Sequence, residues 1–110
     1  MNQRLEEDAK IFKALSDAKR LRILELLQDG EKCACVLLAE MDMGQSGLSY
    51  HMKILCESGI VSATQAGKWT HYSLNSSGSA YALKRLAAIT ASKGEDTCHT
   101  PSCYKSSAAH

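Results

Sequence analysis

The chain has 110 residues, a formal net charge of +1 and 23% charged residues, so we expect one small domain that gains from assembly with itself and has no generally polybasic surface. No apolar run approaches the roughly 20 residues that span a bilayer, and the N-terminus lacks the features of a signal peptide. We therefore expect a cytoplasmic protein without a membrane partner. Its five cysteines in a reducing compartment favour metal ligation, redox sensing or burial over a disulfide framework.

Two helices are predicted at the start of the chain. An apolar stripe predicts an amphipathic helix over residues 4–15. Asp17 is a good N-cap and Gly30 a natural stop, and the wide apolar face between them predicts a central buried helix. The stripe of the first helix needs a partner and consists of Leu5, Ala9 and Phe12.

A helix-turn-helix is predicted next. "ACVLLAEM" predicts a short helix over residues 34–41, and "QSGLSYHMKILCE" predicts a second helix over residues 45–57 after the break "DMGQ". Leu48, Met52 and Leu55 lie within a narrow arc of the second helix, whereas hydroxyls, a phenol and a lysine gather on the opposite side. These polar side chains suit either a surface that reads a polar partner or an ordinary solvated face.

The segment after Gly59 predicts a β-hairpin. Two β-rich runs, residues 60–64 and 69–74, are joined by "QAGK", whose glycine suits a turn. A hairpin directly after a helix-turn-helix is a wing. The predicted fold class is therefore mainly α with a small β-hairpin, a winged helix-turn-helix.

The last predicted helix, at about residues 76–92, starts in a serine cluster suited to capping and carries a second apolar stripe. A chain of this size cannot cover both stripes alone, so we expect a homodimer through the terminal helices. Residues 1–92 are thus predicted to form the winged helix-turn-helix and dimerisation domain, and residues 93–110 a flexible tail. The second stripe consists of Leu83, Leu86 and Ile89.

The predicted fold suggests contact with double-stranded DNA. In such a dimer the second helix of each copy can enter the major groove, and the two-fold axis spaces the two helices about one DNA turn apart. Side chains near the helix start can read bases, and others can hold phosphates or touch the minor groove. The predicted base-reading residues are Gln45, Ser46 and Ser49. The other predicted DNA contacts are Tyr50, His51, Lys53, Lys68 and His71.

Three segments carry a family resemblance. "FKALSDAKRLRILELL", "CAC" and "GQSGLSYHMKILCESGIVSATQAGKWTHYSL" resemble the ArsR/SmtB family of metal-sensing bacterial repressors, over roughly residues 8–90. The resemblance implies a homodimer that binds operator DNA, with the first and last helices at the dimer interface. The CxC resembles the arsenite-sensing branch, in which thiolates at this point bind the inducer and release the DNA.

Cys33 and Cys35 are therefore the predicted primary ligands of an inducer, trivalent arsenic or antimony. As(III) takes about three thiolates, and soft thiolate ligands suit it best. A helix turns about 100° per residue, so two cysteines one residue apart in a helix point to nearly opposite sides. They converge on one ion only if the start of the helix unwinds, and otherwise they are packing residues.

The sequence leaves the third thiolate open. Leu38 stands where arsenite sensors often have another cysteine. Cys56, at the edge of an apolar arc, is more typical of a packing residue. Cys98 and Cys103 are better candidates and are predicted as ligands, because the tail can fold back over the pair, although an idle tail is an equal alternative.

Other functions are weighed by what the sequence lacks. Zinc, nickel and cobalt sensors of the family carry carboxylates and histidines along the last helix, and cadmium and lead sensors use an N-terminal cysteine; both features are absent here. A repressor released by thiol oxidation or by another soft metal is the alternative. An enzyme is not expected, because the chain has no paired carboxylates, no nucleophile beside a base and no phosphate-binding glycine loop.

Overall fold

The computed structural model describes residues 3–94, and the two tail cysteines lie outside this range. Within it the chain forms helices and one small antiparallel sheet, so the predicted fold class is confirmed. The elements in chain order are α1 (Gln3–Ala14), α2 (Ala18–Leu27), β1 (Lys32–Cys33), α3 (Ala34–Glu40), α4 (Gln45–Glu57), β2 (Val61–Ala66), β3 (Trp69–Leu74) and α5 (Ser76–Thr90).

Side-chain caps fix the starts of two helices. Asp17 accepts a hydrogen bond of 2.7 Å from the backbone N–H of Lys19, as predicted for the N-cap of α2. The cap of α5 is Asn75, which accepts a 2.8 Å bond from the N–H of Gly78. The expected serine cap is wrong by one or two residues, and asparagine serves equally well in this role.

The sheet has the order β1-β3-β2. The hairpin of β2 and β3 is longer than predicted, because pairing continues to Ala66 and Trp69 and leaves only a two-residue turn. Gly67 opens that turn with a φ of 65°, a left-handed conformation that glycine adopts without strain. The sequence did not predict β1, which pairs with β3 on the opposite edge from β2.

The core lies between α1, α2, α3, α4 and the start of β2. The predicted apolar arc of α4 is fully part of it, because Leu48, Met52 and Leu55 are each at most 3% exposed. Asp8, buried in α1, accepts two hydrogen bonds of 2.9 Å from the guanidinium of Arg85 on α5. This bidentate ion pair ties the first helix to the last.

Apolar side chains on α1 and α5 remain uncovered in a single copy. Leu5 is 50% exposed, Leu83 69% and Leu86 47%. An apolar cleft of about 350 Å³ lies between α1, α2 and α5, and its lining includes Phe12, Leu15, Leu24, Leu74, Leu83 and Leu86. Among the described helices, none is long and apolar enough to cross a membrane.

Candidate DNA-binding surface and thiol pair

One face of α4 is polar and open to solvent. Gly44 precedes the helix with extended backbone and makes no side-chain hydrogen bond to the first turn. The side chains that follow on this face carry amide, hydroxyl, phenol and ammonium groups, which can donate to phosphates and base edges. The exposed members of this reading face are Gln45, Ser46, Ser49, Tyr50 and Lys53.

The wing brings a lysine to the reading face. A cleft of about 120 Å³ is lined by Gln45 and Ser49 of α4 together with Lys68 and Trp69 of the wing. Predicted DNA contacts from two distant parts of the sequence, α4 and the turn of the wing, therefore meet at one surface. Sequence reasoning missed Trp69, which is 43% exposed; its position directly after the turn lysine was the available signal.

Side-chain hydrogen bonds brace the tip of the wing. The amide of Gln65 donates to the carbonyl oxygen of Gly67 at 3.2 Å, and the hydroxyl of Thr70 donates to Oε1 of Gln65 at 2.9 Å. These bonds link both strands across the turn. The exposed Lys68 thus projects from a braced turn and not from a loose loop.

The structure does not support the prediction that His51 contacts DNA. Its side chain is only 8% exposed, because it lies on the side of α4 that faces α1 and α2. Nη1 of Arg20 lies 2.9 Å from its Nδ1. The ring is thus occupied by an internal partner and is not available on the reading face.

His71 lies away from the wing tip. It is half-buried, its Nδ1 is 3.1 Å from a carboxylate oxygen of Glu31, and it pairs across the sheet with Cys33. Of the two predicted contacts on the wing, Lys68 therefore lies beside the reading face, whereas His71 lies opposite Cys33.

Cys33 and Cys35 are not on successive positions of one helix. Cys33 ends β1 and is the N-cap of α3, with extended backbone (φ −68°, ψ 146°). Its Sγ accepts a 3.3 Å hydrogen bond from the backbone N–H of Cys35. The chain bends between β1 and α3, so only Cys35 of the pair lies within the helix, whereas Cys33 has extended backbone.

The two thiols differ in acidity. A hydrogen bond from the Cys35 thiol lowers the pKa of Cys33, and the backbone N–H groups of Cys35 and Val36 lower it further against the opposing effect of burial. The same thiol hydrogen bond raises the pKa of Cys35. Cys33 is thus the first of the pair to become a thiolate, which is the form that binds soft ions.

A third ligand does not come from nearby described residues. Within residues 3–94, no three histidine, cysteine or acidic side chains are grouped so that they could hold a metal ion. Cys56 lines a separate cleft with Met52 and Tyr72, and burial raises its pKa above the ordinary value. The predicted ligands Cys98 and Cys103 fall outside the described range.

The comparisons with known proteins agree with this architecture. Residues 17–63 match the model of a family described as bacterial regulatory protein, arsR family. The chain is 40% identical over 89 residues to the arsenical resistance operon repressor of Bacillus subtilis, a match that covers 79% of this chain and 85% of that protein. It is 41% identical over 76 residues to the protein of the same name from Escherichia coli, covering 68% and 65%.

A solved structure supports the fold. A homodimeric winged helix-turn-helix DNA-binding domain from Mycobacterium bovis, a possible ArsR-family transcriptional regulator, superposes with a TM-score of 0.63 at 28% identity, covering 77% of this chain and 81% of that one. The segment that matches the family model, residues 17–63, includes the helix-turn-helix. The fold and the family are those of regulators and not of enzymes. The chain therefore belongs to the ArsR family of bacterial DNA-binding transcriptional regulators.

Proposed function

We propose that the protein is a homodimeric repressor that binds double-stranded operator DNA and releases it when trivalent arsenic or antimony binds Cys33 and Cys35. The observation that carries the proposal is the place of the thiol pair, at the junction between the wing sheet and the helix-turn-helix. Such a regulator acts in the cytoplasm, where its DNA lies. The arsenical resistance repressors to which the chain is similar support the choice of inducer.

DNA binding is assigned to the reading face and the wing. Gln45, Ser46 and Ser49 lie on the first turns of α4, the part of a recognition helix that meets base edges. Tyr50 and Lys53 follow on the same exposed side and suit phosphates. Lys68 approaches from the wing, so that each copy contacts the duplex both through α4 and through the wing.

The thiol pair couples inducer to DNA through the backbone. Cys33 belongs at once to β1, which pairs with β3 of the wing, and to the cap of α3. The two cysteines, one with a lowered pKa and its Sγ hydrogen-bonded to the backbone N–H of the other, can supply two of the three thiolates that a soft trivalent ion takes. Pulling Cys33 towards an ion disturbs both elements, so inducer and DNA compete for one backbone geometry. The third thiolate is assigned to Cys98 or Cys103.

Dimerisation is assigned to α1 and α5. The exposed Leu5, Leu83 and Leu86 and the apolar cleft beside them form a surface that a second copy can cover. Leu86→Glu is expected to convert a dimer into a monomer in sedimentation experiments, because it places a charge on the covered surface. A stable monomer of the parent at micromolar concentration contradicts the assignment.

The proposal is tested by titrating arsenite into a complex of the protein with a fluorescent duplex selected from random DNA. The parent should release the duplex, whereas Cys33→Ser and Cys35→Ser should bind it and not release it, because serine is a poor soft-metal ligand. Cys56→Ser is the matched control and should respond as the parent does. Removal of residues 95–110 should raise the arsenite concentration needed for release. Release of Cys33→Ser at the parent's arsenite concentration would overturn the proposed site.

A thiol-oxidation repressor is the second candidate. It is favoured by the hydrogen bond between the two thiols, since a thiolate beside a thiol can form a disulfide when a peroxide accepts the two electrons and is reduced to water. Peroxide in place of arsenite distinguishes the two. Release by peroxide alone supports oxidation, and release by arsenite under reducing conditions supports metalloid sensing.

A further inference from the structure

Arg20 is a buried cation where α1, α2 and α4 meet. Its Nε donates to the carbonyl oxygen of Ala14 at 3.2 Å and its Nη2 to that of Lys13 at 2.9 Å, so the guanidinium closes the end of α1. Its Nη1 lies 2.9 Å from Nδ1 of His51 on α4. One side chain of α2 therefore joins the end of the first helix to the recognition helix.

The chemistry of this joint sets the protonation of the imidazole. A guanidinium has only donors, so Nδ1 of His51 must be the acceptor and carry no proton. Protonation of the ring would leave two cations in hydrogen-bond contact, since Arg20 stays charged at all ordinary pH values. Removing or blocking one partner of a buried charged contact is costly, because the other loses its compensation.

The groups around His51 do not offset the repulsion between a protonated His51 and Arg20. Burial lowers its pKa first of all, Arg20 and Lys19 lower it further, and Asp17 at the start of α2 opposes them. From α1, the carbonyl groups of Lys13 and Ala14 are already bound to Arg20.

We propose that Arg20 and His51 are positioning residues for DNA binding, and that their hydrogen bond sets the reading face of α4 relative to α1 until His51 takes up a proton. The inference rests on the proposed function. Neither residue needs to touch DNA, because Arg20 is 5% and His51 8% exposed. Since α1 is assigned to the dimer interface, a shift in this joint changes how the two reading faces of a dimer are spaced.

The direction of the pH effect follows from the geometry. Protonation breaks the joint, so the folded state holds the proton less tightly than the unfolded chain does. The stabilisation is complete above the ordinary histidine pKa of 6.5 and is lost as the pH falls below it. Under the proposal the DNA-bound form requires the unprotonated joint and so holds a proton on His51 less tightly than the free folded protein does, and operator affinity is therefore expected to fall with acidification.

Two substitutions of His51 distinguish the effect of its hydrogen-bond acceptor from the effect of its protonation. His51→Asn keeps an acceptor oxygen close to the place of Nδ1 but does not titrate, and His51→Phe removes the acceptor. Between about pH 7.5 and about pH 5.5, the affinity of the parent for its selected duplex should fall, by at most about tenfold for each pKa unit by which the His51 pKa differs between the free and the DNA-bound protein. His51→Asn should lose less than the parent, and His51→Phe should bind weakly at both pH values. His110→Asn is the matched control and should keep the parent's decline.

Two readouts distinguish this proposal from general instability and from a failure of the proposed function. Circular dichroism at both pH values shows whether each variant is folded when its affinity is measured. Nitrogen NMR of the His51 ring reports the joint without DNA, and a proton on Nδ1 in the folded protein at about pH 7.5 would overturn the proposal. An equal loss of affinity on acidification in the parent and His51→Asn, or parental affinity in His51→Phe, would overturn it as well.

A parent that binds no duplex refutes the proposed function and with it the positioning role. The NMR result still shows in that case whether the hydrogen bond between Arg20 and His51 is present.

Discussion

Cys33 on β1 lies directly opposite His71 on β3. Directly paired residues of antiparallel strands have neighbouring side chains on one face of the sheet, so a change at the cysteine reaches the wing through one ladder position. Trp69 lies two residues before His71 on the same strand and lines the cleft beside the reading face. The short strand β3 thus connects the thiol pair to the DNA-binding surface.

This connection predicts an optical signal. Arsenite should change the emission of Trp69, the chain's only tryptophan, because binding at Cys33 displaces β1 from β3 and alters the surroundings of the indole. The change should saturate with arsenite and be absent in Cys33→Ser. The measurement is a fluorescence titration without DNA, and an unchanged response in that variant contradicts the coupling.

The acidities of the two thiols predict different alkylation profiles. The rate of iodoacetamide modification of Cys33 should reach half its maximum below the ordinary thiol pKa of 9.0, and that of Cys35 above it. Peptide mass spectrometry against pH gives both midpoints, which do not depend on how accessible each sulfur is. Cys35→Ala should move the midpoint of Cys33 upward, because the largest cause of its lowered pKa is lost. Identical midpoints for the two thiols would refute this assignment.

The reading face predicts two kinds of DNA-binding defect. Lys68→Ala should weaken all DNA binding and reduce the slope of log affinity against log salt by about 2 for a dimer, about 0.9 for each lost phosphate contact. Ser49→Ala should leave that slope unchanged and lose about 1 kcal/mol of preference per copy, the usual worth of one hydrogen bond. Lys84→Ala on α5 is the charge-matched control. Parental binding by both variants would show that this is not the DNA surface.

Two helical glycines predict opposite effects on stability. A methyl group at Gly78 would overlap the carbonyl oxygen of Gly59, so Gly78→Ala should lower the free energy of unfolding by about 1–3 kcal/mol. At Gly47 the added methyl meets only ordinary contacts with Met43, so Gly47→Ala should raise it by up to about 1 kcal/mol through helix propensity. Denaturant unfolding at one fixed protein concentration measures both. Equal effects would contradict the close approach of α5 to the turn at Gly59.

Local periodicity in the sequence was enough to predict the recognition helix. Its bounds, residues 45–57, agree with α4, and its buried arc of Leu48, Met52 and Leu55 is confirmed. The reason is that a helix is stabilised by contacts three and four residues apart, which the sequence displays directly. The glycine-containing hairpin is predictable for the same reason, since its turn and its strands are neighbours in the chain.

Contacts between distant segments decided the rest. A two-residue strand has no periodicity, so β1 exists only because Lys32 and Cys33 find Tyr72 and His71 across the sheet. That pairing holds Cys33 in extended backbone at the start of α3, where its Sγ accepts a hydrogen bond from the backbone N–H of Cys35. His51 has the polarity of a surface residue, and only the packing of α2, which delivers Arg20 to its ring, places it inside. The sequence by itself determined the helices and the hairpin, because the contacts that stabilise them are between residues close in the chain. Tertiary packing decided the roles of His51 and Cys33, because their partners are distant. The partner of His51 lies 31 positions away, and that of Cys33 lies across the sheet.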